Sequence, residues 1–377
     1  MLSTMTISNK GFQLERCEDL LETMIDLIED EAFPSEEDDD DDDDDLSSQE
    51  RRIWTGPQLL RQIDDAASIC EPSLELRGPR QKPAVVILAT LNLLRNLAML
   101  PENARFISRN PRVLDVIARL SEVVDEGETF RPSSKAFELV DLLRIHHEVT
   151  SIIANLGSHI SLSIHRPRTS RRLYSMLISP LVDPENIVKP LHPGFHDVTL
   201  PVPHIDMALD AFSRLAQQDA NRKVLARVIP QSELTIHFHA LVHMLPISED
   251  DFNVTVSSAP VLDTWMGYLE RLVQCIYNLI FLSPPSLKRT WRKVPGLTAT
   301  FLRMIRFYLE GVRSDRATFA ASQFEKNSYS VMARRAFEAL SLLDVAETRS
   351  IPSPLRLWPL RLPSWTALVC RRNLEGC

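Results

Sequence analysis

Three histidines at positions 237, 239 and 243 read His-x-His-x-x-x-His, and His239 and His243 share one face of a helix. Two imidazoles at that spacing are half of a metal site. No acidic or cysteine ligand lies close in sequence, and Leu241, Val242 and Met244 mark the same stretch as core. No metal is expected there. His146-His147-Glu148 has the residue types for general acid–base work, but no nucleophile or oxyanion-stabilising turn accompanies it. The chain contains no GxxxxGK(S/T) loop, no HExxH helix and no GxSxG elbow. The motif content calls for no catalytic residue, no cofactor and no small-molecule substrate, and the expectation is a non-enzyme.

Two basic groups could face a nucleic acid: Arg166, Arg168, Arg171 and Arg172, then Lys288, Arg289, Arg292 and Lys293. Neither has interleaved aromatics or a known binding motif, so both read as solvated surface charge. The opposite charge is concentrated in Glu36-Glu37 and the eight aspartates Asp38–Asp45. Like charges at that density repel and prevent collapse, so 34–50 reads as a disordered acidic linker. Residues 1–50 carry 19 acids and 2 bases, so the net charge of -9 conceals a remainder that is net basic.

Composition narrows the class. There are only 10 glycines in 377 residues, which disfavours nucleotide-binding α/β folds that need glycine at phosphate turns. The 25 prolines fall largely between apolar helical runs, the punctuation of a many-helix protein. The five cysteines are scattered and never form CxxC, arguing for a reducing compartment. The longest apolar run, 83–92, is about half of what a membrane span requires. A soluble intracellular protein is expected.

The elements follow from apolar periodicity. Residues 1–33 supply an amphipathic helix that must dock on the remainder, carrying Phe12, Leu14, Leu20, Leu21, Met24, Ile25, Leu27 and Ile28 at helical spacing. Residues 51–347 form the main domain, with helices near 57–70, 84–98 and 103–120. A further long helix, capped by Ser133-Ser134, runs to Leu156. Others follow at 205–217, 220–228, 231–245, 262–281, 296–308 and 328–347. Residues 163–204, rich in Pro, Arg and His with one helical stretch near Arg171–Leu177, read as an irregular surface insertion, and 348–377 as an irregular tail.

Within this domain one plan recurs. When Leu97-Ala98 is aligned with Leu215-Ala216, Asn103 falls on Asn221, six residues past the leucine in both, and Pro111 and Pro230 follow. Three apolar helices also end in Asn-Leu: Asn96-Leu97, Asn155-Leu156 and Asn278-Leu279. An asparagine beside a buried leucine can bond the carbonyls of a neighbouring turn. Asn96, Asn155 and Asn278 are therefore expected to lock repeat to repeat, with Leu97, Leu156, Leu215 and Leu279 as repeat core. Such a chain resembles an armadillo-type repeat protein. The fold expected is all-α, an armadillo/HEAT-like helical repeat superhelix with a disordered acidic linker.

The fuller pattern Leu94-Arg-Asn-Leu-Ala-Met-Leu-Pro-Glu-Asn-Ala-Arg-Phe-Ile107, followed by Asn110-Pro111, resembles the C-terminal domain of the ARID-bearing subunit of SWI/SNF chromatin remodellers. Residues 147–162 and 277–305 look like it as well. The similarity spans roughly 12–345 and is most specific at 91–120. The resemblance implies a nuclear, non-catalytic scaffold in transcription regulation, holding the remodelling ATPase and core subunits together. The DNA-binding ARID module has no counterpart in this chain, so direct DNA binding is not carried over. The alternative reading is a free-standing armadillo-type adaptor in transport or ubiquitin pathways.

Overall fold

A computed structural model describes residues 12–34, 54–69, 83–127, 129–182, 203–246, 259–313 and 323–345. The chain is all-α, with fourteen α-helices and one two-stranded hairpin among these residues. The acidic run Asp38–Asp45 and the tail 348–377 lie outside them.

A 3-10 turn at Leu14–Arg16 leads into α1 (Glu18–Ala32), followed by α2 (Gly56–Ile69), α3 (Pro83–Ala98), α4 (Pro101–Ile107) and α5 (Pro111–Leu120). The hairpin β1 (Val123–Asp125) and β2 (Phe130–Pro132) precedes α6 (Leu139–Leu156). A second 3-10 turn, Leu162–Ile164, opens α7 (Pro167–Ile178). Then come α8 (Pro203–Leu215), α9 (Asp219–Val228), α10 (Gln231–His243), α11 (Ala259–Leu282), α12 (Pro285–Trp291), α13 (Leu297–Arg313) and α14 (Gln323–Val345). Proline sits at the first turn of α4, α5, α7 and α12, where its missing N–H costs no hydrogen bond.

The expected helix 103–120 is two helices. Asn110 ends one and caps the next, its side chain accepting from Arg112 N at 3.0 Å, with Pro111 starting α5. Ser133-Ser134 do not cap α6, which starts at Leu139 behind Glu138. Ser134 Oγ donates to Ala32 O at 2.6 Å and Ser133 Oγ to Arg119 O at 3.1 Å, so both bond carbonyls at the ends of earlier helices. The hairpin was not expected from sequence. Its turn places Gly127 at φ 93, with Gly127 N donating to Asp125 Oδ1 at 2.9 Å.

In the first part of the expected insertion 163–204, the helical stretch read near Arg171–Leu177 belongs to a longer helix with one buried face. Residues 167–178 form α7, which buries Leu173, Tyr174, Met176, Leu177 and Ile178. Arg168, Arg171 and Arg172 depress the mean hydropathy of the stretch, yet the apolar residues lie on one face, and position on the helix decides burial. Residues 183–202 lie outside the described set.

The helices form two layers. In the first, α3, α6, α8, α11 and α14 pack side by side in chain order. Leu88, Ala89 and Asn92 of α3 run beside Leu143, Arg144 and His147 of α6, and His147 meets His204 on α8. Asp206 then meets Arg271 on α11, Leu209 O meets Cys275, and Ser213 O meets Asn278. Positions rise together along each pair, so α3, α6, α8 and α11 are parallel. Leu97, Leu156, Leu215 and Leu279 sit at or near their C-terminal ends, all fully buried. Fifty-nine residues separate the first three, and sixty-four separate Leu215 from Leu279. Gly157 lets α6 and α8 approach at this end, because a Cβ there would stand 2.9 Å from Arg214 Cβ.

The second layer contains α1, α5, α7, α10 and α12. Arg112 on α5 pairs with Glu22, Asp26 and Glu29 on α1. Thr169 on α7 donates to Asp115 on α5, Arg171 pairs with Glu233 on α10, and Phe238 stacks on Trp291 of α12 at 4.0 Å. The main core lies between the layers. Among the described residues no helix is long and apolar enough to cross a membrane.

Candidate interaction face

Two asparagines tie the short helices α4 and α9 to the 3-10 turns that lead into α1 and α7. Asn103, in the first turn of α4, is buried; its Oδ1 accepts from Leu14 N at 2.8 Å and its Nδ2 donates to Phe12 O at 3.2 Å. Asn221, in the first turn of α9, does the same to the chain after α6. It accepts from Leu162 N at 2.8 Å and donates to Ile160 O at 2.8 Å and to Leu215 O at 2.9 Å. In each case an amide holds the peptide groups two residues apart just before a 3-10 turn. The side-chain amide supplies one donor and one acceptor in fixed geometry, which an extended backbone segment matches. The equivalence of Asn103 and Asn221 in sequence is therefore also an equivalence of contact.

The asparagines preceding the leucines behave differently from one another. Asn278 is buried, accepts from Gln274 Nε2 at 3.0 Å and from Arg222 Nη1 at 3.4 Å, and donates to Ser213 O at 3.5 Å. It joins α11 to α8 and α9. Asn96 is buried too, and its Nδ2 donates to Asn92 Oδ1 at 3.2 Å within the same helix. Asn155 is half-buried and has no side-chain hydrogen bond among the described residues.

The outer face of the first layer has a polar contact at each junction. Arg95 on α3 lies 2.9 Å from Glu148 Oε2 on α6. His147 on α6 and His204 on α8 face each other, their Nδ1 atoms 3.1 Å apart. Arg271 on α11 forks onto Asp206 on α8, with Nε 2.9 Å from Oδ1 and Nη2 2.7 Å from Oδ2. Arg335 on α14 covers the ring of Tyr277 on α11 at 4.9 Å. Fork geometry and ring contact both favour arginine over lysine at these positions. These groups are mostly half-exposed, so each pair contributes little stability. What they define is the relative register of adjacent helices.

An open cleft of about 630 Å³ lies on this face at the α3–α6–α8 junction. Leu88 and Asn92 line one side, Leu143, Arg144 and His147 the other, and His204 closes the end. Burial lowers the pKa of His204, and the neighbouring His147 lowers it further.

Of the histidines singled out by spacing, His239 is half-buried and His243 exposed on α10, while His237 and His146 are engaged in structure. His237 is buried, hydrogen-bonded to the Tyr174 hydroxyl, and held down to a pKa of about 3 by desolvation. His146 stacks on Trp54 at 5.1 Å with its Nε2 2.9 Å from Ser121 O, and burial pushes its pKa down to about 4. Neither is presented to a substrate. Arg168 and Arg172 both pair with Glu122, and Arg292 with Asp344. Members of both basic groups are thus neutralised by acids from other elements. Sequence reasoning missed the His147–His204 pair because 57 residues separate its members. Among known proteins, no family model and no curated sequence matches this chain.

Proposed function

We propose that this chain is a non-catalytic scaffold subunit of a SWI/SNF-type ATP-dependent chromatin-remodelling complex. It acts in the nucleus, in transcription regulation, by holding the ATPase and core subunits together. In this reading the two helical layers are the inner and outer walls of an armadillo/HEAT-like superhelix. The observation that carries it is the row of parallel helices with Leu97, Leu156, Leu215 and Leu279 at equivalent ends. A unit that stacks on its own neighbours yields a long continuous face, which suits binding of extended partners better than turnover of small ones. The resemblance at residues 91–120 supplies the complex. The engagement of His146 and His237 in buried contacts supports the non-enzyme side of the reading.

The test uses the face itself. Charge reversals at exposed Arg144 and at Arg335, which covers Tyr277 on this face, leave the core untouched. They should reduce recovery of the remodelling ATPase in a pull-down while helix content by circular dichroism stays constant. Unchanged recovery across several folded variants of this face would sink the scaffold mechanism. Nucleotide turnover by the isolated chain would sink the non-enzyme reading.

A further inference from the structure

We propose that His147 and His204 form a two-histidine site for a divalent transition-metal ion, bound between α6 and α8 at the end of the cleft. The carrying observation is geometric. The two Nδ1 atoms face one another at 3.1 Å across the helix junction. Two imidazole nitrogens bound to one zinc ion at about 2.0–2.1 Å, with a tetrahedral angle between them, stand about 3.3 Å apart. The nitrogen separation thus differs from that of a shared ion by a few tenths of an ångström, and the rings need also to turn so that both lone pairs converge on the ion. The ring planes are nearly perpendicular, at 87°, so the rings do not stack over the position between their nitrogens.

Behind the pair, α6 and α8 both bury apolar faces in the main core, which holds the two backbones that carry the ligands. In the present contact one ring donates its Nδ1 proton to the other. On metal binding that proton moves to the same ring's Nε2 through solvent, leaving two neutral Nδ1 ligands and no net change in protein charge.

Among the described residues no third His, Cys, Asp or Glu completes a group able to hold a metal. Glu148 lies in the cleft wall but is engaged by Arg95. The remaining coordination positions are filled by water, which the open cleft accommodates. The site is accordingly weaker than a four-ligand structural zinc site, and it accepts copper(II) or nickel(II) as well, since imidazole suits all three.

The full-length chain is titrated with zinc chloride by calorimetry, with thermal unfolding measured in parallel. One ion should bind through this pair, and the unfolding midpoint should rise with zinc concentration. His147→Ala and His204→Ala should each weaken binding tenfold or more while helix content is unchanged. The double variant His239→Ala/His243→Ala, which removes the competing pair on α10, should leave binding as it was. Copper(II) bound to the wild type should show hyperfine coupling to two nitrogens by electron paramagnetic resonance, and to fewer in either single variant. Failure to bind zinc, survival of binding in both single variants, or its loss in the α10 double variant would each overturn the proposal.

Discussion

Asn221→Ala removes three hydrogen bonds that tie α9 to the chain after α6 and to the end of α8. The peptide N–H of Leu162 would be left buried without an acceptor, at about 1–3 kcal/mol, and two carbonyls would each lose a bond worth about 0.5–1.5 kcal/mol. The expected loss is therefore about 2–6 kcal/mol, with water entering the vacated space pulling it toward the lower end. Asn103→Ala removes two equivalent bonds, to Leu14 N and Phe12 O, and should cost about 1.5–4.5 kcal/mol by the same reckoning. Asn155→Ala touches a half-buried amide with no hydrogen bond among the described residues, so it should cost under about 0.5 kcal/mol. Urea unfolding followed by far-ultraviolet circular dichroism gives the three values, and the order Asn221, Asn103, Asn155 is the discriminating result. If Asn221→Ala were as mild as Asn155→Ala, the clamp would not be a determinant of the fold.

Leu97→Ala and Leu215→Ala each empty a fully buried site at a helix end and should lower stability by about 2–5 kcal/mol in the same assay. Gly157→Ala should also destabilise, because its methyl group would meet Arg214 Cβ at 2.9 Å; equal or higher stability would show that α6 and α8 can separate at little cost. His146 and His237 stay neutral in the folded chain down to about pH 4 and about pH 3, while unfolded histidines protonate near 6.5. The unfolded state thus binds more protons in this window, and stability should be full above pH 6.5 and fall as pH drops toward 5, by at most about 1.4 kcal/mol per pH unit for each ring. A flat pH profile between 6.5 and 5 would contradict their burial. Trp291→Phe keeps the stack on Phe238 and removes an indole N–H that has no partner among the described residues, so it should cost less than about 1.5 kcal/mol, against about 3–5 kcal/mol for Trp291→Ala.

Periodicity was sufficient to read the all-α class and most helix spans, because apolar spacing is set by which face must be buried. The positions Leu97, Leu156, Leu215 and Leu279 were legible for that reason. What failed was local. Of α7 only the stretch near 171–177 was legible as helix, and its burial was not, because the arginines mask the apolar face of Leu173, Tyr174 and Leu177. Ser133 and Ser134 carried a capping signature, but their hydroxyls bond carbonyls at the ends of α5 and α1. A serine does not record which helix end it will meet. The matched positions of Asn103 and Asn221 were visible in sequence, whereas their partners, 89 and 59 residues away, were not. The face of the first layer is assembled from such distant pairs, so its chemistry emerges only once the helices are stacked.

The common direction of α3, α6, α8 and α11 has an electrical consequence. Each helix carries about half a positive charge at its N-terminus and half a negative charge at its C-terminus. Side by side and parallel, the four dipoles add into a plate with one positive rim and one negative rim, and they repel one another laterally. Asp141 and Asp206 lie in the first turns of α6 and α8, and Arg95 and Arg214 in the last turns of α3 and α8, where they oppose the polarisation. Antiparallel neighbours would cancel without such help. Moderate salt, which weakens the ion pairs at the helix junctions, therefore also screens the repulsion between the helices those pairs join, and the layer is buffered against ionic strength from both sides.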